Sequence, residues 1–194
     1  MSDILFISTD YLKQNSVIND NVDDELLTPA IIKSQDLYIE RILGTDLMNR
    51  LKTDISGSAG QVAGNYKILL DDYVQKTVRE WATYEATVSL NWKYTNKAIS
   101  QKSSDNSEPS PLSDIAYLRE QIRNTAEYYG QRITDYLCAN EALFPEYRSN
   151  NNQDDIRPSS DNFFNGLYIP PGHSDHGGIR HVQNPEYGNG NDYC

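Results

Sequence analysis

The chain has 194 residues and a net charge of −11. That is room for one ordinary domain and a tail, and the acidity excludes a protein that grips nucleic acid through clustered lysine and arginine. Two cysteines, Cys138 and Cys194, make no disulfide framework. The apolar run Ile4-Leu5-Phe6-Ile7 is too short for a signal peptide and no segment nears membrane-spanning length, so a soluble protein made in a cytosol is expected.

In chain order, residues 3–27 open with that apolar run, readable as a strand or an extended anchor. Ser8-Thr9-Asp10 then reads as the cap of one brief turn through Leu12. The first firm helix is expected at Thr28-Pro29, with threonine as N-cap and proline at N1, where its missing N–H costs nothing. Ile31, Gln35, Tyr38, Ile39 and Ile42 follow at spacings of three and four. Gly44 stops this helix and Thr45 caps the next, in which Leu47, Leu51 and Ile55 share a face. The stretch 56–64, rich in glycine, alanine and serine, reads as a flexible loop.

Asn65 is expected to cap a long helix carrying Leu69, Leu70, Tyr73, Val74, Val78, Trp81, Val88 and Trp92 on one stripe. Glu85 is the break in that stripe, and a kink near Gln75-Lys76 is expected. Residues 100–111 read as a second mobile loop. Ser110-Pro111 restarts a helix with Ile115, Leu118, Ile122, Ala126, Tyr129, Ile133 and Leu137 down one side, ending near Asn140. Leu143-Phe144-Pro145 closes the body as a short turn. No alternating run is long enough for a sheet, so the predicted fold is all-α: a small bundle of four or five helices over 1–147, with an N-terminal anchor at 1–27. Residues 148–194 form a long irregular C-terminal arm, too polar to fold alone.

The chemistry inventory is short. There is no glycine-rich phosphate loop, no Gly-x-Ser-x-Gly elbow and no Cys-x-x-Cys, and the body contains no histidine. Adjacent Asp71 and Asp72 point about 100° apart on a helix and cannot act as a facing pair. Glu80 and Glu85 lack a second acid at helical spacing on the apolar face. No enzyme and no cofactor are expected. The arm places His173, Asp175, His176 and His181 at spacings that zinc would accept. Their glycine-rich setting favours a flexible polar stretch, and no metal is assigned.

The arm is the more telling part. It holds 3 basic and 6 acidic residues against 14 and 22 in the body, and contains no lysine. Set into it is an aromatic island in which Phe163, Phe164, Leu167, Tyr168, Ile169 and Pro170 cannot form a core alone and must dock on something. The occupied surface is either the protein's own bundle or a neighbour, reached as an added strand or a groove-bound peptide. Pro170-Pro171 would end any such strand.

Several segments carry a family likeness. Leu26-Leu27-Thr28-Pro29-Ala30-Ile31-Ile32, with Gln35, Tyr38-Ile39, Leu43-Gly44, Leu47 and Leu51, resembles the opening helices of head–tail connector (adaptor) proteins of tailed bacteriophages. Asn65-Tyr66, Lys102 to Ser107, Tyr117-Leu118-Arg119 and Ala126-Glu127-Tyr128-Tyr129 agree with it. The likeness is nearest to versions from phages of gut and marine Bacteroidetes, crAss-like phages included, and spans roughly residues 4–147. The resemblance implies a virion protein that assembles as a ring, usually dodecameric, beneath the portal protein. Such a ring extends the DNA channel, passes DNA without sequence-specific binding, and offers a surface to the next tail or neck protein. It also implies that Phe163 to Pro170 contact the portal or an adjacent subunit. The loop with Lys102, Ser103, Ser104, Asp105 and Asn106 would face the channel or a partner. A helical binding or scaffold protein unrelated to virions, using the same arm on a cellular partner, is the alternative. The chain departs from the simplest connectors in its longer arm, which carries the histidine- and glycine-rich stretch 172–194.

Overall fold

The computed structural model describes residues 3–57, 62–94, 99–101, 111–147, 149 and 155–158. The chain divides into two units, Met1–Ser159 and Ser160–Cys194, and all described residues belong to the first. The fold is all-α, as the periodicity predicts: a helical bundle, to which the structure adds one short β-ribbon.

Ser8 caps α1 (Thr9–Asn15), its hydroxyl accepting from the Tyr11 N–H at 3.0 Å. α2 (Asp24–Ser34) starts a turn earlier than expected. Asp23 stands at its N-cap, Asp24 and Glu25 occupy its first turn, and Pro29 falls inside the helix rather than at N1. The reason is packing and charge. Leu27 is fully buried, the two acids suit the positive helix end, and Lys13 holds Asp24 at 2.6 Å. That ion pair keeps the Asp24 carboxyl below the usual range. The loss of one backbone bond at Pro29 is tolerated in exchange.

α2 runs on through a π-helical turn (Gln35–Ile39) into α3 (Glu40–Leu43). Gly44, with φ 78° and ψ 159°, ends that helix and starts α4 (Thr45–Ser56), so glycine rather than Thr45 sits at the N-cap. α5 (Gly64–Ile68) passes through a second π turn (Leu69–Val74) into α6 (Gln75–Asn91). Directly ahead of Gln75, where the sequence reading expects a kink, the structure has one wide turn, a feature at which helices commonly bend. Asn65 lies within α5 rather than capping it.

Trp92 leaves the helix. Trp92–Tyr94 (β1) pairs antiparallel with Ile99–Gln101 (β2), in register Trp92 to Gln101 and Tyr94 to Ile99. The beginning of the expected loop at 100–111 is thus a strand. α7 (Leu112–Ala139) follows, and two 3-10 turns, Glu141–Leu143 and Pro145–Tyr147, close the bundle.

α6 packs against α2 on one side and α7 on the other. The core between them comprises Leu27, Ile31, Ile39, Leu43, Val78, Trp81, Ile133 and Leu137. The N-terminal run does not add a strand. Its main chain is held by two glutamine side chains, each next to or within a π turn. Gln35 is nearly fully buried, accepts from the Phe6 N–H at 2.7 Å and donates to the Ile4 carbonyl at 3.0 Å. Gln75 donates to the Phe6 carbonyl at 3.1 Å. The amides stand in for a neighbouring strand, so Phe6 can be buried with both its N–H and its carbonyl paired.

Candidate interaction surface

Phe163, Phe164, Leu167, Tyr168, Ile169 and Pro170 lie outside the described residues, as do Lys102, Ser103, Ser104, Asp105, Asn106 and the histidine stretch. The described structure does reach the root of the arm. Thr45 N–H donates to the Ile156 carbonyl at 3.1 Å, and Ile156 N–H donates to Thr45 Oγ1 at 2.9 Å. Thr45 Oγ1 in turn donates to Glu40 Oε1 at 3.0 Å, and Ser149 donates to Asp46 Oδ2 at 2.9 Å. Pro158 lies against Gly44 so closely that a Cβ there would stand 2.8 Å from Pro158 Cδ. The hydroxyl expected to cap α4 thus fastens the arm root instead, and the glycine serves both the turn and the close approach.

A second feature lies where α2, α6 and the start of α7 meet. Glu85, the break in the apolar stripe of α6, has its side chain almost covered. Its Oε2 takes the Lys33 ammonium at 2.5 Å and its Oε1 accepts from Tyr38 OH at 2.7 Å. Burial, and then this bond to Glu85, raise the Tyr38 phenol well above its ordinary range. Tyr38 stacks on Trp81 with ring centroids 3.7 Å apart, and Tyr84 meets Trp81 edge-on. Glu85 is thus a satisfied cross-helix tie, fixing α2 to α6 with no oxygen left over for chemistry. Beside it opens a groove of about 420 Å³, walled by Leu26, Pro29, Ala30 and Val88. The Arg119 guanidinium lies 4.0 Å over the Tyr84 ring, and Arg119 Nε is shut off from solvent with no hydrogen-bond partner among the described residues.

The third feature is α7 itself. Leu112, Tyr117, Leu118 and Tyr128 are 62%, 63%, 55% and 62% exposed. Leu118, placed by its spacing on the packed face with Ile115 and Ala126, is therefore open to solvent. Over the first three turns of α7 only Ile115 is buried, because no described element covers the rest. Exposed apolar residues grouped on one element mark a contact surface more often than singletons do.

No set of three or more His, Cys, Asp or Glu side chains is placed to hold a metal among the described residues. No described helix is long and apolar enough to cross a membrane. Three elements escaped the sequence reading. Gln35 and Gln75 look like ordinary helix residues, although a glutamine on an apolar stripe is a detectable sign of a buried amide. The Gly44–Pro158 contact joins positions too far apart in sequence for any local pattern to reveal.

A model for a family of unknown function, DUF6712, matches residues 39–157. The chain belongs to this family. No curated protein and no solved structure matches the chain. The DUF6712 match stops within the docked segment 155–158, so the arm root at Gly44 falls in the stretch the family shares, and the aromatic island lies beyond it.

Proposed function

We propose that the chain is the subunit of a head–tail connector ring of a tailed bacteriophage, a structural virion protein that docks on the portal, extends the DNA channel and joins capsid to tail. The observation that carries this reading is the uncovered apolar end of α7, where Leu112, Tyr117 and Leu118 stand in solvent. A ring closes through a heterologous contact, which needs two unlike complementary patches on each subunit. The apolar end of α7 and the groove beside it supply unlike surfaces. The arm root adds a tether with a fixed origin, so that a docked ring would raise the effective concentration of the arm at its target. The acidic composition suits a channel that passes DNA without holding it.

The test is to mix the purified full chain with the portal protein and examine the product by mass measurement and electron microscopy. A closed ring, dodecameric on the resemblance given above, is expected on the portal. Removing residues 160–194 should leave a folded body that no longer joins it. A chain that stays monomeric and indifferent to the portal sinks this reading and favours a scaffold for a cellular partner.

A further inference from the structure

The exposed side of α7 carries an ordered stripe. Asp114, Leu118, Gln121, Thr125, Tyr128 and Arg132 follow one another at spacings of four, three, four, three and four, which keeps them on one helix face. All six are exposed, and the stripe lies away from Ile115, Ala126, Ile133 and Leu137, which pack into the bundle. A solvent-facing helix side is ordinarily rich in charge. Here the charges of the stripe stand only at its two ends. Neither Asp114 nor Arg132 has an ion-pair partner among the described residues.

Read from its other end, the stripe is its own complement. Laid antiparallel on a second α7, Asp114 of one copy stands opposite Arg132 of the other, Leu118 opposite Tyr128 and Gln121 opposite Thr125. The first pair is oppositely charged and the second is apolar. The third joins an amide and a hydroxyl, each able to donate and accept. Every pair then occurs twice about a two-fold axis, as a contact between like surfaces requires. Laid parallel, the stripe would set acid on acid and base on base. The three–four spacing is also that of helices packed side by side. Net charge points the same way. A chain of charge −11 repels its own copies, and a stripe with one acid and one base is a neutral place for them to meet.

We propose that two copies of the chain pair through this stripe, α7 against α7 and antiparallel, with Asp114 meeting Arg132 at both ends of the contact. The pairing goes beyond the connector reading and does not rest on it. It joins free chains and covers Leu118, so a ring that uses that end of α7 would form by displacing it. One helix pair is a small contact, and the dimer is accordingly a weak one, populated at high chain concentration.

Analytical ultracentrifugation of the full chain without portal protein, over a concentration series up to the solubility limit, should show a reversible monomer–dimer equilibrium. Asp114→Arg alone, or Arg132→Asp alone, sets like charges together at both ends and should weaken the dimer at least about fivefold. Both positions are exposed, so the unfolding midpoint of each variant at low concentration should match that of the parent. Mixing the two variants restores both opposite-charge pairs, and a heterodimer of parent strength is expected, read by labelling one of them. A chain that stays monomeric throughout, a dimer indifferent to both reversals, or two weakened variants that do not pair when mixed overturns the proposal. Reversals that leave the free chain unchanged and abolish portal binding assign the stripe to the portal and overturn it as well. A monomeric parent that still forms portal-bound rings removes the pairing and leaves the connector reading intact. A dimer of the expected charge dependence that ignores the portal does the reverse.

Discussion

The two ends of α7 share one helix, one periodicity and very different surroundings. Toward its C-terminus Ala126, Gly130, Ile133 and Leu137 are all buried, and the end is sealed by rings. Tyr136 stacks on Tyr73 with centroids 4.3 Å apart, and Tyr66 meets Phe144 edge-on at 5.4 Å. Tyr66 OH reaches across to Glu146 at 2.7 Å, and the arm root is fastened to Thr45 nearby in the same network of α4 and the closing turns. Toward its N-terminus the stripe continues through Leu118, but within the described subunit nothing covers it. An apolar spacing says which face a helix wants to bury. It does not say whether the covering surface belongs to the same chain.

The largest expected effect breaks the comparison directly. Leu137→Ala removes a fully buried side chain and should destabilise the protein by about 2–5 kcal/mol, read by urea unfolding. Leu118→Ala should change the isolated chain by no more than about 0.5 kcal/mol, yet weaken ring formation in the presence of portal. If Leu118→Ala costs as much as Leu137→Ala in the isolated chain, the start of α7 is core and the contrast between the ends is wrong.

Gly44→Ala sharpens the sealed end. Its φ of 78° with ψ of 159° is open to glycine and strained for any residue with a Cβ, and that Cβ would also press on Pro158. A loss of about 1–3 kcal/mol is expected. Amide exchange should show the Ile156 N–H losing its protection while core amides of α6 keep most of theirs. Protection retained at Ile156 would mean that the arm root is held by something other than the Thr45 pair.

Much of this architecture was legible because helix signals are local. The cap at Ser8, the helix stop at Gly44, the restart after Pro111, the end at Asn140 and the stripe of α6 all follow from residues within a turn or two of each other. The start of α2 was misplaced because Pro29 is a strong local signal, and burial of Leu27 together with the Lys13–Asp24 pair outweighs it. The strands at Trp92–Tyr94 and Ile99–Gln101 were missed because three residues are too few for alternation to register. Of the surface features, Glu85 was visible as a break in a stripe, but its partners Lys33 and Tyr38 come from another helix. Leu118 read as core for the reason already given, and no single-chain pattern separates a face buried by its own subunit from one reserved for a neighbour.

The smallest effect concerns the hydrogen bond that closes the sealed end. Burial, and then the bond to Glu146, push the Tyr66 phenol up to about 12 from its ordinary 10.0. A phenol whose folded value stands above its unfolded value favours the folded state fully below pH about 10, and that contribution disappears as pH rises to about 12. Tyr66→Phe keeps the ring on Phe144 and under Arg50 but removes the titrating group. The variant should be slightly less stable than the parent at neutral pH, with the gap narrowing between pH about 10 and about 12. Following the difference in melting temperature, rather than either curve, cancels the other tyrosines that ionise in the same window. A gap that does not change with pH would show that Tyr66 seals this end by its ring alone. The bond to Glu146 would then be a consequence of the packing and no part of what holds it.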